Sequence, residues 1–266
     1  MGVKCANDKF YTKPTIAKKC LDFLGNISSY DKVVECSAGN GSFSKQIKHD
    51  NLEAYDLVPE DYTIVKKDWF DYTSDLSNSI VISNPPFGIR NKLSKEFIKH
   101  CIKLNCKTIA MILPNVYNKH TLQSVFPKDY RLVKKLELPR DSFTLNEEDY
   151  HVPCTFYVWD KSSGMDLRFD PSKYKTDDFS IVLKEDVDYT CFFILGASPN
   201  TVKNVDEVNE NNRGYYVKPN KKTREYLVEV FENLEFEGMS SVNGGVSWLT
   251  KIEIVKNYVE RMNDGK

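Results

Sequence analysis

One short motif, Asn84-Pro85-Pro86-Phe87, combines residue types that could prepare a planar amino group for reaction. Such an amine is a poor nucleophile, because its lone pair is delocalised into the group that carries it. The Asn84 side-chain oxygen and the Pro85 carbonyl could accept its hydrogens and draw them out of the plane. Phe87 could stack on the attached ring. The alternative is an ordinary turn at the end of a strand.

This proline turn (residues 84–88) follows the apolar run Ser79–Ser83, which predicts a buried strand. Two consecutive prolines force an extended, rigid backbone. Open α/β sheets bind ligands at the carboxyl ends of their strands. The turn is therefore expected where a ligand can reach it.

A second motif, residues 33–43, reads as an apolar strand, a loop of small residues (the glycine loop, residues 37–41) and a helix. Gly39 and Gly41 would let the backbone pass close to a ligand. A dinucleotide site would need a third glycine at position 44, which is Ser, and an acidic residue farther along than Asp56. The motif therefore does not favour NAD, and a simple tight turn stays open as the alternative.

The pattern around the glycine loop resembles the S-adenosylmethionine site of class I methyltransferases: Glu35 lies in the first strand, Ala38, Gly39 and Gly41 in the loop, and Asp56 at the end of the second strand. The resemblance implies that S-adenosylmethionine is the cofactor and that Asp56 accepts hydrogen bonds from its ribose. The Asn-Pro-Pro-aromatic motif resembles the catalytic motif of amino-methyltransferases that act on adenine N6, cytosine N4 or the glutamine amide.

Two further segments fit the same resemblance. Residues 9–14, Lys-Phe-Tyr-Thr-Lys-Pro, look like the N-terminal cofactor-binding segment of adenine-N6 methyltransferases with one lysine inserted. This implies cofactor contacts for Tyr11 and Thr12. Asp68-Trp69-Phe70 resembles the segment whose acid receives the adenine amine of the cofactor while an aromatic covers its ring, which implies cofactor contacts for Asp68 and Trp69.

The order of the motifs across residues 9–160 resembles the γ arrangement of DNA adenine-N6 methyltransferases. Phe143 follows the sixth predicted strand, where these enzymes place an aromatic on the other face of the substrate base. The resemblance implies that adenine leaves the duplex, is held by Asn84, Pro85, Phe87 and Phe143, and attacks the cofactor methyl directly. Asn84 would border the cofactor as well.

Other functions stay open at this point. RNA offers an identical amine, and cytosine N4 or a protein glutamine could replace adenine. The domain could also be a catalytically silent binding module in a partner complex. A restriction-modification context would suit a DNA enzyme, although the sequence itself shows no such partner. Double-stranded DNA is the expected partner, RNA is the alternative, and the oligomeric state is left open.

The rest of the sequence predicts the fold that positions these residues. Alternating β-rich and amphipathic segments indicate a class I methyltransferase fold: an α/β, Rossmann-like, seven-stranded, mostly parallel sheet flanked by helices, with a small C-terminal α+β region. The predicted strands are residues 32–36, 52–56, 62–66, 79–83, 107–113, 132–138 and 154–159, and the predicted helices of this domain are 15–24 and 93–104.

A change in composition after Trp159 places a domain boundary near Lys161. Residues 1–160 are expected to form the S-adenosylmethionine-binding catalytic domain, and residues 161–266 an accessory region suited to target recognition. In this region we predict a strand at 189–195, helices at 223–234 and 250–262, and a turn at Gly244-Gly245. Basic residues cluster near both ends of the chain, as solvated surface or phosphate contacts: Lys4, Lys9, Lys13, Lys18 and Lys19, and Lys218, Lys221, Lys222 and Arg224.

The composition narrows the class of protein further. The chain has 41% hydrophobic and 28% charged residues and no apolar run of membrane-spanning length, so we expect a cytoplasmic or nucleoid- or nucleus-associated protein that is neither secreted nor membrane-bound. A net charge of −1 decides nothing about a polyanionic partner, since a local basic face is sufficient. The seven cysteines show no zinc spacing, so we expect reduced, buried thiols and no metal. His151 and Cys154 are interpreted as structural.

Overall fold

The computed structural model describes residues 10–162, 164–236 and 248–264, with residue 264 described by its backbone alone. Several predicted features lie outside these residues: Lys4 and Lys9 of the basic cluster, Cys5 (one of the seven cysteines) and the Gly244-Gly245 turn. No helix within the described ranges combines the length and the apolarity needed to span a bilayer.

Ten strands and three helices build residues 10–162. The strands are β1 (Tyr11–Thr12), β2 (Lys32–Glu35), β3 (Leu52–Asp56), β4 (Val65–Lys66), β5 (Ser79–Ser83), β6 (Thr108–Pro114), β7 (Arg131–Glu137), β8 (Phe143–Leu145), β9 (Glu148–Tyr150) and β10 (Cys154–Asp160). The helices are α1 (Pro14–Leu24), α2 (Lys92–Lys103) and α3 (His120–Gln123), with 3-10 turns at Trp69–Asp71, Ile89–Asn91 and Asn115–Asn118. All seven predicted strands and both predicted helices are present.

Strands β2 to β7 form one seven-stranded sheet with β10, in the order β4-β3-β2-β5-β6-β10-β7. The strands from β4 to β6 in this order are parallel, and β10 runs antiparallel to both of its neighbours. The predicted mostly parallel sheet is confirmed. Strand β4 is shorter than predicted because a turn precedes it: the Asp61 carboxylate accepts the Thr63 N–H at 2.9 Å, and the Asp61 carbonyl accepts the Ile64 N–H at 3.1 Å.

Successive residues of a central strand face opposite sides of the sheet, so each side has its own apolar core. Ile80 of β5 belongs to the cluster around Ala17 of α1. The next residue, Val81, belongs to the cluster around Ile98 of α2. All four side chains are fully buried. Helices therefore cover both faces, and the loops at the strand ends are left to form a site.

The described chain divides into two compact units between Phe169 and Asp170, a little beyond the composition change at Lys161. The second unit contains β11 (Phe179–Val182), β12 (Phe192–Leu195), β13 (Val202–Asn204), β14 (Gly214–Pro219), α4 (Arg224–Glu232) and α5 (Lys251–Asp264), with 3-10 turns at Pro171–Lys173, Lys184–Asp186 and Val205–Glu207. Its strands form an antiparallel sheet in the order β11-β14-β12-β13. This is the small α+β region that the sequence predicts.

The six cysteines of the described residues are all free thiols and all buried. Burial raises the pKa of Cys20 and of Cys106 to about 12, which keeps both thiols protonated near neutral pH. Cys154 lies in the core of the sheet, and His151 Nδ1 lies 2.8 Å from the Arg140 carbonyl. The contacts of Cys154 and His151 are therefore structural.

Replacing Trp159 by Ala should lower the free energy of unfolding by about 3–5 kcal/mol, because its loss leaves a cavity in the core. Trp159 is 1% exposed and stacks on Phe126, with ring centroids 3.9 Å apart. Urea denaturation followed by far-ultraviolet circular dichroism measures the effect. Tyr62→Ala is the matched control, since Tyr62 is 98% exposed. It should stay within about 0.5 kcal/mol of wild type, and equal losses in both variants would contradict the assigned core.

Candidate active site

A cavity of about 530 Å³ lies where the parallel strands β2, β3, β4 and β5 end. Its walls come from residues 10–12, 35–40, 42–43, 56–58, 67–70, 84–86 and 88–89, with Leu93 and Phe97 of α2. The volume is in the range of small-molecule and cofactor sites. The predicted site residues that line the cavity are Tyr11, Thr12, Glu35, Ala38, Gly39, Asp56, Asp68, Trp69, Asn84, Pro85 and Pro86, whereas Gly41, Phe87 and Phe143 do not line it.

Asp56 holds the glycine loop against the end of β3. One carboxylate oxygen accepts the Gly39 N–H at 2.8 Å, and the other accepts the Val58 N–H at 2.8 Å. Gly39 has a φ of 53° and faces the Tyr11 ring, to which a Cβ at position 39 would come within 3.3 Å. A residue without a side chain suits both the backbone angle and the close approach. The loop therefore presents bare backbone to the cavity next to a carboxylate.

Glu35 anchors the chain that follows the glycine loop. Its carboxyl group accepts the Ser44 N–H at 2.8 Å, and burial raises the pKa of Glu35 from the ordinary 4.5 to about 8. The helix predicted after the loop is wrong, since residues 39–46 form successive turns. Gly41 has a left-handed φ of 82°, and the Ser44 N–H is bonded to Glu35 instead of a helix carbonyl.

Strand β1 lies against the glycine loop. Its residues Tyr11 and Thr12 pair with β8 in an antiparallel ladder. The Tyr11 hydroxyl donates to Glu60, and burial together with Glu60 raises the pKa of Tyr11 to about 12, so the hydroxyl keeps its proton. Ser42 Oγ donates to the Thr12 carbonyl at 2.6 Å. The segment identified in the sequence is thus fixed beside the loop.

The proline turn follows β5, and its Asn84 side chain is tied to β1. Asn84 Nδ2 donates to Thr12 Oγ1 at 3.1 Å. The amide oxygen, Asn84 Oδ1, is shielded from solvent and accepts no hydrogen bond from the described residues. The Pro85 carbonyl accepts no backbone hydrogen bond from them either. An unpaired buried acceptor such as Asn84 Oδ1 costs about 1–3 kcal/mol. Within the described residues, the turn thus has two acceptors that a ligand in the cavity can use.

Phe87 and Phe143, which were predicted to stack on the substrate base, do not line the cavity. They are 7% and 0% exposed, and their ring centroids lie 5.2 and 5.0 Å from that of Phe10. Phe10, which the sequence analysis did not single out, lines the cavity in their place. Both buried rings pack against Phe10, and the stacking role predicted for them stays a prediction. Its position directly before Tyr11 could have identified Phe10 as a cavity residue from the sequence.

The segment after β4 brings one acid and two aromatics to the cavity. Asp68 Oδ1 accepts the Phe70 N–H at 2.9 Å and begins the short 3-10 turn. Trp69 is 2% exposed and stacks on Tyr72, with ring centroids 5.2 Å apart. Phe70 is 41% exposed. Phe70 therefore has more free ring surface than the predicted Trp69.

Residues 26–162 match the family described as the EDM2 methyltransferase-like domain, which is more than half of the chain. The chain belongs to this family. The matched residues contain the whole seven-stranded sheet, the glycine loop and the proline turn. This part of the chain is therefore a methyltransferase-like domain.

Several solved structures share a low similarity with the chain. One is a Pyrococcus horikoshii protein described as a candidate RNA methyltransferase, with a TM-score of 0.45, 16% identity, and coverage of 60% of this chain and 89% of that chain. A Thermoplasma acidophilum protein has a TM-score of 0.40, 17% identity and coverage of 60% and 98%. A Thermoplasma acidophilum protein described as a candidate methyltransferase has a TM-score of 0.36, 16% identity and coverage of 55% and 74%. No curated protein matches the sequence significantly.

Glu35→Gln should change how stability depends on pH. Because burial raises the pKa of Glu35 to about 8, the folded protein keeps a proton there that the unfolded chain has released above pH 4.5. The free energy of unfolding of the wild type should therefore fall, relative to the variant, by up to about 1.4 kcal/mol per pH unit as the pH rises between these values, and level off above them.

Urea denaturation of both proteins at several pH values measures this difference. A range of about pH 5 to 9 covers most of the shift in the Glu35 pKa. The Gln side chain retains an oxygen for the Ser44 N–H, so the loop contact is matched. Parallel pH profiles for the two proteins would contradict a buried, protonated Glu35.

Proposed function

We propose that this methyltransferase domain transfers a methyl group from S-adenosylmethionine to N6 of adenine in DNA. The observation that carries the proposal is the state of Asn84 Oδ1, a shielded amide oxygen without a partner among the described residues. Asn84 lines the cavity together with Pro85 and the glycine loop. A planar amine has two hydrogens to donate, and the turn supplies two acceptors.

The chemistry of the cavity walls fits S-adenosylmethionine. Gly39 offers backbone without a side chain, Asp56 and Asp68 can accept from hydroxyl and amino groups, and Phe70 offers a ring face. The two carboxylates also favour a positively charged ligand. When bound, S-adenosylmethionine supplies the methyl group: the amine nitrogen forms an N–C bond, the C–S bonding pair leaves on a neutral thioether, and an amine proton passes to water.

In this proposal Asn84 Oδ1 and the Pro85 carbonyl accept the two amine hydrogens and direct the nitrogen lone pair out of the ring plane. The N–H groups become stronger donors as the nitrogen gains positive charge. The two acceptors therefore bind the transition state more tightly than the ground state. Thr12 and the two prolines fix these acceptors in advance, so little reorganisation accompanies the reaction.

The choice of adenine in DNA rests on the resemblance of residues 9–14 and of the motif order to γ-type enzymes. The basic cluster near residue 220 gives it no added support, because its cations have partners within the second unit. Lys218 pairs with Asp188 at 2.8 Å, and Lys221 pairs with Asp177 at 2.7 Å. A target-recognition role for the second unit therefore stays a proposal.

The test is a methyl-transfer assay with labelled S-adenosylmethionine on matched duplex DNA and RNA, followed by digestion to nucleosides. N6-methyladenine from DNA is the expected product. Label in RNA adenine would keep the amine chemistry and replace the substrate. Label in cytosine or protein glutamine would overturn the choice of adenine, and no transfer to any acceptor would favour a silent binding module.

Asn84→Ala should lower kcat by about 100-fold or more, because it removes an acceptor that acts in the transition state. The affinity for S-adenosylmethionine, measured by calorimetry, should stay near that of the wild type. Asn26→Ala is the matched control, since Asn26 is exposed and its oxygen accepts the nearby Ser28 N–H at 2.9 Å. Full turnover in Asn84→Ala would refute the proposed role of the amide.

Thr12→Val should lower kcat by about 10-fold, because it removes the hydroxyl that accepts the Asn84 amide hydrogen and so loosens the position of that amide. Thr12→Ser retains the hydroxyl and should restore most of the rate. Steady-state kinetics with both variants should show the change in kcat with little change in KM for the cofactor. If Thr12→Val and Thr12→Ser lose the same activity, the bond to Asn84 does not position the amide.

A further inference from the structure

The loop between the proline turn and α2 exposes an apolar side chain at the mouth of the cavity. Ile89 is 88% exposed and yet lines the cavity, together with Gly88. The flanking backbone is left-handed at three positions, with φ of 67° at Gly88, 55° at Arg90 and 59° at Asn91. Non-glycine residues adopt this conformation rarely and usually where the surroundings enforce it.

The surroundings hold both ends of this loop. The Phe87 carbonyl accepts the N–H groups of Leu93 and Ser94 at 3.1 and 3.3 Å, and the Gly88 carbonyl accepts the Asn91 N–H at 3.1 Å. A Cβ on Gly88 would come within 2.8 Å of the Leu93 side chain, so the turn lies directly on the first turn of α2. The loop is therefore a short, rigid support from which Ile89 projects.

Ser94 extends this support into the core. Its hydroxyl donates to the Asn91 carbonyl at 3.2 Å and lies 2.9 Å from the hydroxyl of Tyr117, which is itself buried. A single exposed aliphatic residue is ordinary on a protein surface. Here, however, strained backbone and buried hydrogen bonds hold the exposed side chain beside the proline turn. Packing within the described chain gives no reason for that position, whereas contact with a bound partner does.

We propose that Ile89 is a wedge residue: it enters the base stack of duplex DNA and occupies the space that adenine leaves when it moves into the cavity. This inference rests on the proposed function. Apolar side chains of DNA-binding proteins insert between base steps, and a base must leave the stack before its amine can reach Asn84. Arg90, exposed next to Ile89, gives the same loop a cation suited to a neighbouring phosphate.

The experiment compares methyl transfer by wild type, Ile89→Ala and Ile89→Leu on three DNA substrates: a fully paired duplex, a duplex with a mismatch at the target adenine, and a single strand. Ile89→Ala should methylate the paired duplex about 10-fold more slowly or worse, because the base now leaves the stack without a wedge. On the mismatched duplex and the single strand, its rate should lie within about 2-fold of wild type, because those bases are already easy to move. Ile89→Leu keeps the apolar volume and should restore the duplex rate.

A fluorescent adenine analogue next to the target reports base movement independently of methyl transfer. Its signal should rise when wild type binds the duplex and should stay low with Ile89→Ala. Equal loss of activity on all three substrates would mean that Ile89 maintains the shape of the proline turn, and it would refute the wedge role. An unchanged rate on the paired duplex would refute the wedge role as well. If the wild type methylates only single-stranded DNA, the wedge role of Ile89 is refuted, whereas the proposed amine chemistry is retained. If wild type methylates no DNA, the proposed function itself fails and the wedge fails with it.

Discussion

The hydrogen bond from Asn84 to Thr12 joins the proline turn to strand β1, and the arrangement of the site depends on it. It uses the donor side of the Asn84 amide and leaves the acceptor side without a partner among the described residues. Thr12 can hold the amide because β8 pairs with its backbone and Ser42 bonds its carbonyl. The same two-residue strand places Tyr11 against Gly39, so one short segment contacts both the proline turn and the glycine loop. The unpaired oxygen is a cost in stability of about 1–3 kcal/mol, of the kind that proteins retain at functional sites.

The sequence predicts the sheet and part of the site because both follow from local patterns. Buried parallel strands have continuous apolar runs, as β5 and β6 do. Each of the seven predicted β-rich segments contains a strand of the sheet. Motifs that directly follow strands had to meet at one edge, since parallel strands end together. For this reason Glu35, Asp56, Asp68 and Asn84 all reach the same cavity, although 49 residues separate the first from the last.

What the sequence could not predict depends on contacts between distant segments. Phe10 displaces Phe87 and Phe143 from the cavity wall because β1 pairs with β8, which lies more than a hundred residues farther along the chain. No local pattern reveals that pairing. The helix expected after the glycine loop fails for a similar reason: Glu35, on the preceding strand, captures the Ser44 N–H. Ile89 was passed over because an exposed aliphatic residue has no periodic signal, and its left-handed neighbours are visible only in the structure.

The central claim is that Asn84 Oδ1 is an acceptor kept free for the substrate amine, beside a cofactor bound on the glycine loop. A crystal structure of the protein soaked with S-adenosylmethionine tests it most directly. We expect the cofactor in the cavity between Gly39 and Asn84, with Asn84 still bonded to Thr12 and its oxygen still without a protein donor. A cofactor bound outside this cavity, or an Asn84 oxygen bonded to another part of the chain, would contradict the account.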